Sequence, residues 1–263
     1  MGKNAIVTKE ETAQAVIEMP AHFANLTGAG FEEMRSEDIA IPFVRILEKG
    51  SPQVNKRDGK YVQGAEPGMF FNKGLNAVYD GEKGLSIIPC YYCMRYVEWK
   101  PRESGGGFVA SHAVKPSGAT NVGKEMMLPN GNVLNDTAQF FVLVIGEEGA
   151  YPAVLSLKST QLTKARNWNL AMQFKKWTNP KGEKIPCMFG HTWRMTTVPE
   201  ANDKGDWFGY KFEHEREIAA NEPLFKEAYD FWQSVKAGNV KVKHEDELDS
   251  TPSNASPDDN IPF

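Results

Sequence analysis

Three stretches of the sequence interleave aromatic side chains with lysine and arginine, the residue types that bind single-stranded nucleic acid. Aromatic rings stack on bases, whereas the cations contact phosphates. The stretches are residues 95–102, 164–184 and 191–194. The candidate DNA-binding residues within them are Arg95, Tyr96, Trp99, Lys100, Arg102, Lys164, Arg166, Lys175, Lys176, Trp177, Lys181, Lys184, Trp193 and Arg194.

The tryptophans in these stretches divide into core and surface candidates. A tryptophan in a helix or strand is usually buried. Trp168 and Trp232 fall on the apolar stripes of two predicted helices, so we assign both to the core. Trp99 and Trp177 are flanked by charged residues and proline, which favours them as exposed rings that stack on bases.

Metal binding is a second chemistry that the residue spacing allows. Cys90-x-x-Cys93 and Cys187-x-x-x-His191 have spacings found in structural zinc sites. However, Cys90 and Cys93 lie in a predicted strand, where residues three apart point to opposite faces. We therefore predict no metal and no cofactor, and keep the four-ligand zinc site as the alternative.

We recognise no catalytic motif in the sequence. The sequence contains no Gly-x-x-x-x-Gly-Lys-Ser/Thr phosphate loop, no Gly-x-Ser-x-Gly and no His-Glu-x-x-His. No spacing singles out a cluster of carboxylates either. We therefore predict that the protein is not an enzyme.

The charge is distributed unevenly along the chain. The formal net charge is −4 over 263 residues. Residues 1–38 carry three basic and seven acidic residues, and residues 244–263 carry six acidic residues and no Lys or Arg. Residues 39–243 therefore hold 27 basic and 21 acidic residues, a net charge of +6. A basic body between acidic ends is compatible with a polyanionic partner, although the whole chain is acidic.

The acidic end closes with the sequence Asp-Asp-Asn-Ile-Pro-Phe at residues 258–263. Acidic residues there can engage a basic surface, while a terminal phenylalanine fills an apolar pocket and its carboxylate is captured by an arginine. An acidic tail that only solvates the protein is the more ordinary role. The three residues Ile-Pro-Phe favour a docking peptide, because a solvating tail needs no apolar end.

This hexapeptide resembles the tip of bacterial single-stranded DNA-binding proteins, which end in Asp-Asp-Asp-Ile-Pro-Phe. It departs from that pattern at Asn260, which removes one negative charge. The resemblance implies that the tip docks replication, recombination and repair proteins and competes with DNA for the binding groove. The matching residues are Asp258, Asp259, Ile261, Pro262 and Phe263.

The body resembles phage-encoded proteins more than the short bacterial domain. The resemblance rests on residues 38–47, on Ser-Pro-Gln-Val at 51–54, and on residues 96–102 with the glycines at 105–107. Single-stranded DNA-binding proteins of short-tailed phages are similar in plan, with an OB-fold body and an acidic tail that ends in phenylalanine.

Strand signals dominate the body. Residues 85–99 form the longest, with Pro89 marking a bulge or an edge within it, and residues 138–145 and 150–157 form a hairpin. One helix is predicted from Ser159 or Thr160 to about Lys176, and a second from Asn221 to about Val235. The fold class is mainly β (α+β), an OB-like Greek-key β-barrel with long inserted loops and two notable helices. Periodicity alone does not exclude a sandwich.

Three segments make up the predicted domain organisation. Residues 1–38 are an N-terminal arm, residues 39–238 are the OB-like DNA-binding domain, and residues 239–263 are a disordered acidic tail. No run of 18 apolar residues predicts a membrane span, and no secretory signal is recognised. Three cysteines suit a reducing cytoplasm, that of the host cell if the protein is phage-encoded.

The expected function is sequence-independent binding and protection of single-stranded DNA during replication and recombination, with partner proteins recruited through the tip. A homo-oligomer is possible. The alternative is an adaptor or decoy that binds host replication or repair proteins through the tip without touching DNA. A nuclease or a strand-annealing factor is a third hypothesis.

Overall fold

The computed structural model describes residues 40–147, 149–203, 205–240 and 242. The predicted N-terminal arm and the docking tip lie outside these residues. The two helices are α1 (Gln161–Phe174) and α2 (Pro223–Lys236). The strands of the described part are β1 (Val44–Ile46), β2 (Phe70–Asn72), β3 (Ala77–Tyr79), β4 (Leu85–Trp99), β5 (Phe108–His112), β6 (Thr120–Val122), β7 (Glu125–Met127), β8 (Val133–Gly146), β9 (Gly149–Lys158), β10 (Lys176–Thr178), β11 (Lys184–Pro186), β12 (His191–Asn202) and β13 (Gly205–Glu217).

An antiparallel sheet built around β4 and β8 organises the body. Its strands follow the order β13-β12-β4-β8-β7-β6, with β5 beside β4 and β9 beside β8. The predicted strand at 85–99 and the predicted hairpin of residues 138–157 are confirmed. Pro89 lies at a register shift in the β4–β8 ladder, as predicted, because proline has no N–H to donate there. The mainly β fold class is therefore confirmed.

The main core lies between this sheet and α1. Alternate residues of five strands point into it, in keeping with the two-residue period of a strand. α1 contributes Ala165, Trp168 and Met172, which are three and four residues apart and share one helical face. The buried strand residues are Leu85, Ile87, Ala138, Phe140, Val142, Val144, Ala153, Leu155, Leu157, Trp193, Met195 and Tyr210.

Trp168 fixes α1 to the sheet. Its ring stacks on Phe212 of β13 with 3.8 Å between ring centroids and 1° between ring planes. It also contacts Phe140 of β8 at 4.6 Å and meets the edge of Trp193 of β12 at 6.1 Å. One helical side chain therefore contacts three strands, and the assignment of Trp168 to the core is confirmed.

The described strands do not close into a barrel, because no ladder joins β9 to β13. α1 packs against both of these strands instead. The short sheet β1-β2-β3 lies beside β9, where Phe43 and Val154 form a parallel bridge. Val44 and Phe70 of that small sheet extend the core.

Both helices differ from their predicted bounds at the ends. α1 ends at Phe174 rather than near Lys176, because Lys176 pairs with Pro186 at the start of the β10–β11 hairpin. α2 begins at Pro223, with Glu222 rather than Asn221 at the N-cap. Proline suits a first helical turn because no intrahelical partner exists there for an N–H.

The packing of Trp168 yields a prediction about stability. Trp168→Ala removes the ring from three strands and should lower the free energy of unfolding by about 3–5 kcal/mol. Urea denaturation of the full chain measures this loss. Asn167→Ala, at an exposed position of the same helix, should change stability by no more than about 0.5 kcal/mol. Equal effects from the two variants would contradict the assigned role of Trp168.

Candidate nucleic-acid interface

The positive charge of the body is concentrated in α1 and the β10–β11 hairpin. Residues 161–186 contain six Lys or Arg and one acidic residue, a net charge of +5. Residues 39–243 as a whole have a net charge of +6, so nearly all of that excess lies within 26 residues. We call the exposed surface of this segment the basic face, and its members are Arg166, Leu170, Phe174, Lys175, Lys176, Lys181, Lys184 and Ile185.

Helical geometry places an apolar stripe within the basic face. Arg166, Leu170 and Phe174 are four residues apart on α1 and therefore neighbour one another on its surface. They lie away from the face that carries Trp168 into the core. The Phe174 side chain is 74% exposed and Leu170 is 53% exposed. A solvent-exposed aromatic ring beside Lys175 and Lys176 can stack on a base while the lysines contact phosphates.

The β10–β11 hairpin extends the basic face beyond the end of α1. Its turn is held by Asn179, whose side-chain oxygen accepts hydrogen bonds from the backbone N–H groups of Lys181 and Glu183, each 2.9 Å long. Lys181 and Lys184 are exposed, and the Nζ atom of Lys184 lies 3.8 Å from a carboxylate oxygen of Glu217. A short ordered hairpin therefore holds these cations in place.

Trp177 is not an exposed stacking ring, and this prediction was wrong. The residue is 5% exposed, its Nε1 donates a 2.7 Å hydrogen bond to the carbonyl of Ile218, and its ring stacks on Phe225. Alternation along β10 turns Trp177 inward between the exposed Lys176 and the partly exposed Thr178. Gly190 lies so close that an added Cβ would be 2.5 Å from the ring.

Phe174, rather than Trp177, is the exposed aromatic residue of this segment. Its exposure follows from the helical period, because residues 165, 168 and 172 define the buried stripe and residue 174 falls outside it. Continuing the predicted helix to its end on a helical wheel would have identified this ring. Flanking charge was a weaker guide than the period of the helix.

The other residues predicted to contact DNA on β12 and at the start of α1 are buried or form ion pairs within the protein. Trp193 is 3% exposed in the core, so it offers no ring to a base and its prediction as a contact was wrong. Arg194 forms an ion pair with Glu215 at 2.7 Å, and Lys164 forms one with Glu200. Arg166, Lys175 and Lys176 are the exposed cations that remain on and beside α1.

The first predicted stretch forms a second, smaller group at the end of β4, which we call the strand surface. Arg95 and Trp99 share one face of β4, and Lys158 of β9 places its Nζ 5.0 Å from the centre of the Trp99 ring. Both β4 residues are half-buried, whereas Lys158 and Lys100 are exposed. Sequence reasoning missed Lys158 because this contact joins residues 59 positions apart.

The other two residues predicted in this stretch are not part of the strand surface. Tyr96 is half-buried on the opposite face of β4 from Arg95, since successive strand residues alternate. The backbone of Arg102 belongs to a 3₁₀ turn over residues 102–104, and its side chain is outside the described part.

The alternative zinc site gains no support from the geometry. Cys90 packs with Ile88 and Leu143, whereas Cys93 lies against a different cluster around Phe141. His191 pairs with His214, with 3.2 Å between ring nitrogens, and burial lowers the pKa of His191. Within the described residues, no three His, Cys, Asp or Glu side chains are placed to hold a metal ion.

The insertion between β4 and β8 is anchored by Glu98, which precedes Trp99. The carboxylate of Glu98 is buried and accepts hydrogen bonds from the side-chain amides of Asn132 at 2.6 Å and Asn130 at 3.0 Å. His112 Nε2 of β5 lies 2.8 Å from the second oxygen. The Asn132 amide is the main cause that lowers the pKa of Glu98, followed by the other two groups.

Comparison with known proteins shows which family the chain belongs to. Residues 9–241 match the family described as Pam3 phage gp34-like protein. The chain belongs to this family, which confirms the expected phage origin. No curated protein and no solved structure matches the chain. Among the described residues, no helix is long and apolar enough to cross a membrane.

The Glu98 network yields a pH prediction. The pKa of Glu98 is lower in the folded state than in the unfolded state. The ionised carboxylate therefore stabilises the fold above its unfolded-state pKa, and this contribution is lost as the pH falls through the folded-state pKa. Glu98→Gln leaves a donor amide facing another amide and should cost about 1–3 kcal/mol at pH 7. Urea denaturation of both proteins from pH 7 to pH 3 should show this difference shrinking below about pH 4.5. A difference that stays constant over this range would contradict the account.

Proposed function

We propose that the protein binds single-stranded DNA without requiring a defined sequence, and protects it during replication and recombination of phage DNA. The observation that carries the proposal is the exposed Phe174 ring between clustered cations on the basic face. Stacking on an aromatic ring is sequence-tolerant because every base has a π-face. Unpaired bases can reach such a ring, whereas bases stacked within a duplex cannot.

The charge pattern supports the same proposal. Each phosphate contact releases counterions, so a local charge of +5 on 26 residues favours a polyanion far more than the whole-chain charge suggests. Arg166, Lys175 and Lys176 are exposed around Phe174, and Lys181 and Lys184 continue the surface along the hairpin. A strand can therefore follow the cations while one base stacks on the ring.

The connectivity supports an OB-like assignment for the body. Strands β4, β8 and β9 are neighbours in this order, with β5–β7 in the insertion between β4 and β8. α1 follows β9, and β12 returns beside β4. Three sequential strands with a fourth beside the first define a Greek key. OB folds are partly open Greek-key barrels, and they bind oligonucleotides over their second and third strands and adjacent loops. Lys158, at the end of the third strand, and the nearby Trp99 make the strand surface a second contact region.

Partner recruitment is proposed for residues 258–263, which resemble the tip of bacterial single-stranded DNA-binding proteins. Their acidic residues and apolar end suit a partner with a basic rim and an apolar pocket. This role would be exercised in the cytoplasm of the host, where phage DNA is copied.

The basic face yields a prediction about DNA affinity. Phe174→Ala should weaken binding of a fluorescent oligo-thymidine about tenfold, because stacking on an aromatic ring contributes about 1–3 kcal/mol per base. Val114→Ala, at an exposed apolar residue of the insertion between β4 and β8, should leave affinity unchanged. Absence of wild-type binding at low salt, or equal binding of duplex, would contradict the proposal.

The salt dependence of the same titration tests the cations. Replacing Lys175 and Lys176 by alanine should reduce the slope of log K against log salt by about 1.4, or about 0.7 for each lost phosphate contact. Lys83→Ala, which removes an exposed charge before β4, should leave the slope unchanged. An unchanged slope in the double variant would exclude these lysines as phosphate contacts.

Removal of Phe263 separates DNA binding from recruitment. The shortened chain should bind oligo-thymidine at least as tightly as the full chain and lose affinity for replication or repair proteins that recognise the bacterial tip. Isothermal titration with such a protein and with DNA measures both. A full-length chain that binds the partner but no DNA would favour the adaptor hypothesis.

A further inference from the structure

We propose that a pocket beside the basic face takes one base of the bound strand and prefers adenine. The proposal rests on the proposed function and adds base selectivity to it. The pocket has a volume of about 280 Å³ and lies between β4, α1 and β11 with the turn that follows. Pockets that enclose drug-sized ligands measure roughly 300–1,000 Å³, so this one suits a group the size of a single base.

The polar wall of the pocket can read the edge of a base. Tyr92, Asn169 and Gln173 line it, and Asn169 and Gln173 are one helical turn apart on the same side of α1. The Asn169 and Tyr92 side chains both line the pocket, and burial is the main influence on the Tyr92 hydroxyl and raises its pKa, so the hydroxyl remains protonated. An amide presents a donor and an acceptor side by side, which is the pattern that adenine matches with N6 and N7.

The apolar lining of the pocket suits the flat face of a base. It consists of Met172 on α1 together with Pro186 and Met188. Methionine is polarisable and adapts its shape to an aromatic ring. A base that enters the pocket is therefore held by apolar contacts on its face and by amide groups at its edge, as small-molecule sites commonly are.

The position of the pocket connects it to the proposed path of the strand. Gln173 immediately precedes Phe174, and Pro186 follows Ile185, so two lining residues are direct sequence neighbours of residues of the basic face. Arg166 is close enough to Tyr92 to lower the pKa of its hydroxyl, although burial outweighs it. A strand whose phosphates contact Lys175 and Lys176 can thus stack one base on Phe174 and insert another into the pocket.

The experiment compares oligonucleotides that differ by one base. The full chain is titrated with a 15-nucleotide oligo-thymidine and with versions carrying one central adenine or one central cytosine. We expect adenine to tighten binding about tenfold, because a bidentate amide contact discriminates by about 1–3 kcal/mol. Cytosine should give no comparable gain.

Variants on the same helix locate the effect. Asn169→Ala should abolish the gain from adenine while binding of oligo-thymidine is kept, and Asn167→Ala, at an exposed amide outside the pocket, should keep the gain. Equal affinity for all three oligonucleotides would contradict adenine recognition by the pocket but would not contradict the proposed DNA binding. Failure to bind any of them would overturn the proposed function and this inference together.

Cys187 supplies a readout that needs no variant. Cys187 lines the pocket and is half-buried, and Cys93 lies on the other face of β4 from Tyr92. Burial raises the pKa of Cys187 to about 11, so alkylation is slow enough to follow by peptide mass spectrometry. At saturation, the adenine-containing strand should protect Cys187 more than oligo-thymidine does, with Cys93 responding equally to both. Equal protection of Cys187 would overturn the pocket.

Discussion

The stacking of Trp168 between α1 and the sheet is the contact on which the rest of the structure depends. The ring lies parallel to Phe212 at 3.8 Å and also contacts Phe140 and Trp193. Because the buried stripe of α1 is fixed by this contact, the opposite side of the helix must face solvent. That side carries Arg166 and Phe174, so the core packing determines which groups are offered to a ligand.

Charge segregation gives this surface its proposed use. Residues 161–186 have a net charge of +5, whereas the chain as a whole has −4. Fields of exposed charges are screened within about 10 Å at 0.1 M salt, so a bound strand responds mainly to the charges close to it. Most cations of β12 and β13 have acidic partners nearby, as the Arg194–Glu215 pair shows. Arg166, Lys175 and Lys176, by contrast, are exposed in the same segment as the exposed Phe174 ring.

Sequence patterns predicted the positions of strands and helices better than they predicted which aromatic side chains are exposed. The strand at 85–99, its bulge at Pro89 and the core position of Trp168 follow from local periodicity and from the chemistry of proline. The exposure of a tryptophan does not follow from local periodicity, because it depends on residues far away in the sequence. Trp177 is covered by Phe225 and hydrogen-bonded to the carbonyl of Ile218. Lys158 was missed for the same reason, since its contact with Trp99 exists only after the sheet forms.

The central claim is that a single strand lies across α1 and the β10–β11 hairpin. Ultraviolet cross-linking of the full chain to oligo-thymidine, followed by peptide mass spectrometry, tests it without any substitution. The account predicts that the main cross-linked peptides come from residues 161–186 and include Phe174, with weaker ones near Trp99. Cross-links confined to other strands, or none at saturating DNA, would contradict it.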